Sequence, residues 1–166
     1  MKNILIGDGG MGSELRFRGV EVPSHIESIW SALALTTNTK EIKEIHLDYI
    51  EAGAQYITAN NYTVTRPILE RADMADRLED LTLLSISIAR EAIKESGKDI
   101  QLATSLPPLE TSYRADLVLD KSMLEDQYAE MVGIIEGKTD IIICETMAHS
   151  QEAEIALESI QNSNSK

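Results

Sequence analysis

The feature of this 166-residue sequence that most constrains its fold is an alternation of short apolar runs with longer amphipathic segments. The runs lie at residues 4–6, 55–59, 100–104 and 141–144, bounded by Gly, Asp or Asn. After each run, apolar residues recur at the spacing of an amphipathic helix. The order β-α-β-α-β-α-β-α predicts an α/β protein built from parallel (β/α) units with right-handed crossovers.

Two closures of such a sheet remain open from this pattern alone. One is a small, open, doubly wound sheet. The other is the N-terminal half of a TIM (β/α)8 barrel, a fold that takes about 250 residues when complete. Glycines at positions 53, 97 and 137 follow three of the helical segments, and we expect them to end those helices in the left-handed conformation.

Composition excludes several classes of protein. Fifteen Lys and Arg stand against 28 Asp and Glu, a net charge of −13, which argues against nucleic acid or an anionic membrane as a partner. A single cysteine permits neither an intrachain disulfide nor a multi-cysteine metal site. No apolar run approaches the roughly 18–20 residues that span a membrane, and the start does not resemble a signal peptide. We therefore expect a cytoplasmic protein.

The glycine-rich loop at residues 7–12 follows the first predicted strand and matches G-x-G-x-x-G. A dinucleotide site also needs an acidic residue about 20 positions later, at the end of a second strand. Ala32 stands there instead, and Asp8 inside the loop would repel a pyrophosphate. Two readings remain beside a nucleotide-binding α/β domain. The glycines supply unusual dihedrals to a tight turn, or Asp8 binds a cationic amine at the end of the strand.

Two further polar residues follow predicted strands. Glu145 comes directly after residues 141–144, and Asn60 directly after the run at 55–59. Each also has an ordinary explanation, Glu145 as a solvated acid at a strand end and Asn60 as a turn residue. If the units form a barrel, Asp8 and Glu145 face the same mouth, where two carboxylates suit an α-ammonium group. Cys144 and His149 alone supply too few donors for a metal.

Five ordered motifs resemble the homocysteine S-methyltransferase family. Residues 6–15, IGDGGMGSEL, are similar to the family's opening LDGGMGTEL, and residues 29–32, IWSA, to its lWSA. Residues 46–54, HLDYIEAGA, resemble HxDYixAGA, and residues 57–62, ITANNY, resemble ITTNTY. Residues 144–146, CET, are similar to a strand end carrying ET.

The resemblance implies a (β/α)8 barrel that transfers a methyl group to the thiol of homocysteine, giving methionine, a step of methionine biosynthesis. The family's methyl donors include S-methylmethionine, betaine and methyltetrahydrofolate. Its zinc, held by three cysteine thiolates, activates the thiol. The resemblance places Asp8, Gly9, Asn60 and Glu145 at the substrate, with Asp8 and Glu145 beside its amino-acid portion. It identifies no catalytic residue in this chain.

This sequence departs from the family pattern in three places. Ala59 and Asn61 replace threonines, and residues 104–108, TSLPP, replace a GSxGP-like turn. The chain also stops about halfway, before the GxNC and GGCC segments that carry the zinc cysteines. We therefore expect residues 1–166 to be a partial homocysteine-binding barrel domain, roughly strands one to four with their helices.

Such a chain is expected to bind no zinc by itself and to be inactive alone. Its expected partners are homocysteine and a methyl donor, together with the missing C-terminal half or a second copy of the chain. The alternative functions are a non-catalytic amino-acid-binding or interaction half-barrel and, on the glycine loop alone, a nucleotide-binding domain.

Overall fold

The computed structural model describes residues 4–23 and 29–163, and the described residues form a mixed α/β fold. The strands are β1 (Tyr56–Thr58), β2 (Gln101–Leu106) and β3 (Ile141–Cys144). The helices are α1 (Met11–Phe17), α2 (Ala34–Thr37), α3 (Thr39–Ala52), α4 (Arg66–Glu70), α5 (Leu78–Ser96), α6 (Lys121–Ile135) and α7 (Ser150–Asn162). Short 3-10 helices span Trp30–Leu33, Ala75–Arg77 and Ala115–Leu117.

The three strands form one parallel sheet in the order β1-β2-β3. Tyr56 pairs with Gln101 at the start of the first ladder, and Leu106 pairs with Cys144 at the end of the second. Helix α5 connects β1 to β2 and α6 connects β2 to β3, as parallel pairing requires. The α/β class and the parallel sheet predicted from the sequence are confirmed.

Three helices end at or next to the glycines that were expected to end them. Gly53 and Gly97 are the C-terminal caps of α3 and α5, with φ of 110° and 64°. Gly137 follows the end of α6 with φ of 67°. These are left-handed conformations that a residue with a Cβ adopts only at a cost, so glycine is the residue expected there.

Alternation along the strands separates the core from the rest of the sheet. Ile57, Leu102 and Leu106 are fully buried, in one apolar cluster with side chains of α3, α5, α6 and α7. A second apolar cluster contains side chains from each of the helices α1, α2, α3, α4 and α5, among them Leu15 and Ile42. Because successive strand residues point to opposite faces, the neighbours of the buried residues face away from these helices.

The expected first strand is not a regular strand. Residues 4–6 are exposed, Ile4 by 84%, and Ile6 contacts the start of β1, where its carbonyl oxygen also accepts the Tyr56 N–H at 3.4 Å. Its carbonyl oxygen accepts the Gln55 N–H at 2.7 Å, while its own N–H donates to Gln55 Oε1 at 3.0 Å. Because the Gln55 side chain takes the place of a backbone acceptor, the parallel ladder does not continue. Three of the four expected strands are therefore present among the described residues.

Strand β3 is half-buried along its whole length, although its unbroken apolar sequence is typical of a strand covered on both faces. No further strand pairs with its outer edge within residues 4–23 and 29–163. In the same part of the chain, the structure contains no helix with the length and apolar character needed to cross a membrane.

Candidate active site

A cavity of about 500 Å³ opens at the carboxyl ends of the three strands. All four residues that the sequence nominated, Asp8, Gly9, Asn60 and Glu145, line it. Parallel strands present their carboxyl ends at one edge of the sheet, and loops from that edge form the sites of α/β proteins. The structure therefore brings together residues that are far apart in the sequence.

Asp8 is held at the cavity by Thr58, the last residue of β1. The Thr58 N–H donates to Asp8 Oδ2 at 2.8 Å, and the Thr58 hydroxyl donates to Oδ1 at 3.1 Å. Burial raises the pKa of Asp8 from 3.8 to about 6, against the opposing effect of the Thr58 hydrogen bonds. The negative charge of Glu145 raises that pKa further, which shows that the two carboxylates share one electrostatic environment.

Glu145 follows the end of β3 and is fixed from β2. The hydroxyl of Ser105 donates to Glu145 Oε1 at 2.5 Å. Hydrogen bonds to one oxygen of a carboxylate leave the lone pairs of the other available to a ligand. Within the described part of the chain, the lining of the cavity contains no Lys, Arg or His to neutralise the two acids. The arrangement therefore favours a cationic ligand.

The glycine loop lies against aromatic side chains. A Cβ on Gly9 would come within 2.7 Å of the Tyr49 hydroxyl, and a Cβ on Gly12 within 2.9 Å of the Trp30 indole. None of the four glycines in the loop has a positive φ. The reading in which they supply unusual dihedrals is therefore wrong. Gly9 and Gly12 allow the backbone to approach these rings closely.

Asn60 is buried, and its side chain makes two hydrogen bonds with Ser31, which lies close in space but 29 residues earlier in the chain. Its Oδ1 accepts the Ser31 hydroxyl at 2.7 Å, and its Nδ2 donates to the Ser31 carbonyl at 2.8 Å. It thereby fixes the turn that carries Trp30, whose ring meets Tyr62 edge-on at a centroid distance of 6.2 Å. Both rings line the cavity, so Asn60 shapes the wall as well as contributing to it.

Sequence reasoning missed Thr58 and Ser105, the two residues that orient the carboxylates. Thr58 lies in the same motif as Asn60, and strand alternation places it opposite the buried Ile57. Ser105 is the penultimate residue of β2, close to the edge of the sheet where the nominated residues lie. Alternation and strand ends were therefore the signals that could have identified both.

Comparison with known proteins decides the family. The model of the family described as homocysteine S-methyltransferase matches residues 5–166. The chain belongs to the homocysteine S-methyltransferase family. The homocysteine S-methyltransferase of Escherichia coli K12 is 29% identical over 172 residues, which cover 95% of this chain and 54% of that protein. Methionine synthase of Mycobacterium tuberculosis is 29% identical over 164 residues, covering 87% of this chain and 12% of that one.

Solved structures of the family share the fold. The metallated form of the homocysteine methyltransferase MmuM from Escherichia coli superposes with a TM-score of 0.83 at 26% identity. The match covers 96% of this family member and 60% of MmuM. The chain thus spans about half the length of the homocysteine S-methyltransferases that it matches.

The described residues do not fit a metal. They contain no cluster of three or more His, Cys, Asp and Glu side chains in metal-binding reach. Burial raises the pKa of the half-buried Cys144 thiol, which disfavours the thiolate that binds zinc. His149 uses Nδ1 to accept the Gln151 N–H at 3.2 Å, capping α7. A metal such as that of metallated MmuM therefore has no evident ligand set here.

Proposed function

We propose that this chain is the homocysteine-binding part of a methyltransferase that transfers a methyl group to the thiol of homocysteine, giving methionine. The observation that carries the proposal is the convergence of Asp8 and Glu145 in one cavity without a neutralising cation in its described lining. Family membership supports the same substrate. The cavity exceeds the volume of an amino acid, which leaves room for a second small molecule such as a methyl donor.

In this proposal the two carboxylates hold the α-ammonium group of homocysteine. Asp8, with a pKa of about 6, is mostly ionised at neutral pH. Thr58 and Ser105 keep the two carboxylates from turning away, so little side-chain entropy is lost on binding. The amino acid is oriented by its charged end, and its thiol is left free to reach the methyl donor.

We further propose that the fold is the N-terminal half of a (β/α)8 barrel, residues 1–166 forming a partial homocysteine-binding domain. The parallel sheet, the half-length match to relatives and the superposition on MmuM support this. Zinc would activate the thiol in the complete family enzyme by stabilising its thiolate. Its ligands would come from outside the residues described here, so no step of the reaction is assigned to zinc in this chain.

The substrate proposal is tested by isothermal titration calorimetry on the purified chain. The ligands are L-homocysteine and 4-mercaptobutanoate, which lacks only the amino group. We expect homocysteine to bind at least tenfold more tightly at pH 7.5, since an ammonium contact with a partly buried carboxylate contributes about 1.5–3 kcal/mol. Equal affinities would contradict the proposal.

The incompleteness of the site is tested by assaying methionine formation. We expect the purified chain to form no methionine from homocysteine with zinc and any of S-methylmethionine, betaine or methyltetrahydrofolate. A segment carrying the family's GxNC and GGCC motifs, supplied in the same or a separate polypeptide, is expected to restore activity. Zinc-dependent methionine formation by residues 1–166 alone would overturn this part of the proposal.

A second candidate is a non-catalytic half-barrel that binds an amino acid or pairs with another half. It is favoured by the exposure of Ile4, Leu5 and Ile6 and by the unpaired outer edge of β3 among the described residues. Such edges tend to associate with other strands. Light scattering after size-exclusion chromatography is expected to give a dimer mass, and a monomer at 100 μM would count against self-pairing.

A further inference from the structure

Asn61 lies next to the candidate site without lining it. It is fully buried just beyond β1, at a position where the similar family motif carries threonine. Both ends of its amide contact the backbone of Ser105. Asn61 Oδ1 accepts the Ser105 N–H at 3.0 Å, and Nδ2 donates to the Ser105 carbonyl at 2.9 Å.

These two hydrogen bonds take the place of the backbone hydrogen bonds that a longer β1 would make with β2. The ladder between β1 and β2 continues to Ala59, whose N–H donates to the Ala103 carbonyl at 2.9 Å. Ser105 is the next residue of β2 that turns its N–H and carbonyl toward β1, and it is 1% exposed. Unpaired backbone groups at such a buried position are costly. The side chain of Asn61 satisfies both of them beyond the end of β1.

The two Asn61 hydrogen bonds form a clamp on the Ser105 backbone, and this clamp also affects a carboxylate inside the cavity. Ser105 pairs with Ile143 in the sheet, two residues before Glu145, and its hydroxyl donates to Glu145 Oε1. Fixing the Ser105 backbone therefore fixes the donor that orients the Glu145 carboxylate. Contacts connect Asn61 to Ser105 and Ser105 to Glu145, and of these three residues Ser105 and Glu145 line the cavity while Asn61 does not.

We infer that Asn61 is a positioning residue that acts through Ser105 to hold Glu145 in the orientation that selects an amine-bearing ligand. The inference rests on the proposed binding of an α-ammonium group by Asp8 and Glu145. It adds a residue that touches no ligand and that departs from the family motif. A threonine hydroxyl can both donate and accept, but it is one atom on a shorter side chain, so it does not occupy the two separate positions from which the amide nitrogen and oxygen contact the Ser105 backbone.

The test compares the affinities of L-homocysteine and 4-mercaptobutanoate for the whole 166-residue chain and three variants. Ser105→Ala removes the hydroxyl that contacts Glu145, and Asn61→Thr removes the clamp. Ser85→Ala is the matched control, because Ser85 is a fully buried serine of α5 whose hydroxyl, among the described residues, bonds only the Thr82 carbonyl. The measured quantity is the ratio of the two dissociation constants, which reports the contribution of the amino group.

We expect the preference for homocysteine to fall about five- to tenfold in Ser105→Ala and in Asn61→Thr, since a charge-assisted contact loses its geometry. The affinity for 4-mercaptobutanoate should stay within about twofold of wild type, and the control should keep the wild-type ratio. A merely structural role would weaken both ligands equally. That result, or an unchanged ratio in Ser105→Ala, would overturn the inference.

The outcomes separate this inference from the proposal on which it rests. If wild type shows no preference for the amine, the proposed function fails and the inference fails with it. If wild type shows the preference and the variants keep it, only the inference fails. If Asn61→Thr does not fold, the ¹³C signal of the Glu145 carboxyl decides, since it should shift between unliganded wild type and Ser105→Ala. An unshifted signal would refute the contact.

Discussion

Replacing Asp8 by asparagine tests the electrostatics of the cavity most directly. Asparagine has nearly the same shape and can keep both contacts with Thr58. Its Oδ1 accepts the Thr58 N–H, and its Nδ2 donates to the Thr58 hydroxyl oxygen. The substitution therefore removes the charge and leaves the packing, so a change in stability reports the cost of the buried carboxylate.

The magnitude follows from the pKa of Asp8. Burial raises it from 3.8 to about 6, which corresponds to about 3 kcal/mol against the ionised form in the folded protein. Because the folded-state pKa is the higher one, wild type loses stability as pH rises from about 3.8 to about 6. The asparagine variant lacks this loss. Its stability relative to wild type should therefore increase by about 2 kcal/mol between pH 4 and pH 7.5.

The assay is urea denaturation of Asp8→Asn and wild type across this pH range. Asp99→Asn, which removes an exposed carboxylate outside the cavity, serves as the control and should show no comparable increase. Asp8→Asn should also bind homocysteine at least tenfold more weakly at pH 7.5. A stability difference that does not change with pH would refute the reasoning about burial.

Three further predictions concern buried positions. His46 is fully buried, neither ring nitrogen has a hydrogen-bond partner among the described residues, and burial lowers its pKa from 6.5 to about 4. The free energy of unfolding of wild type should therefore fall by up to about 3 kcal/mol as pH falls from 6.5 to 4, which is opposite in sign to the effect of Asp8. Urea denaturation of His46→Leu should show no such loss. Gly12→Ala should cost about 1–3 kcal/mol in the same assay and alter Trp30 fluorescence, because its Cβ would lie 2.9 Å from the indole. The buried Leu109 N–H donates to Glu152 Oε1 at 3.1 Å. Glu152→Ala should lower the free energy of unfolding by about 1–3 kcal/mol, because this N–H would lose its acceptor. Glu152→Gln keeps an acceptor oxygen and should retain most of the stability.

The opposite signs for Asp8 and His46 affect how the wild-type profile is interpreted. Both groups change charge between about pH 4 and 6.5, one losing and one gaining stability as pH rises. Their effects partly cancel in wild type, so a flat profile would not exclude either. Differences between each variant and wild type isolate the separate contributions.

The sequence by itself determined the class of fold, the family and the candidate residues. Short apolar runs, helical periodicity and helix-ending glycines depend on local geometry, and the order of runs and helices is why the parallel sheet and the glycine ends of α3, α5 and α6 were predictable. The position of Asp8 and Glu145 after apolar runs was sufficient to nominate them, because parallel strands end at a common edge.

The tertiary structure decided what holds those residues. That Thr58 fixes Asp8, that Ser105 fixes Glu145 and that Asn61 clamps Ser105 are contacts between segments 40 or more residues apart. It also showed that residues 4–6 stay outside the regular sheet, because the Gln55 side chain ends their pairing. Alternation can indicate which side chains share a face, but which residues of different segments meet depends on how the strands align, and no local pattern encodes that alignment. The sequence thus identifies Asp8 and Glu145 as candidates, and the packing around them determines their electrostatic environment and orientation.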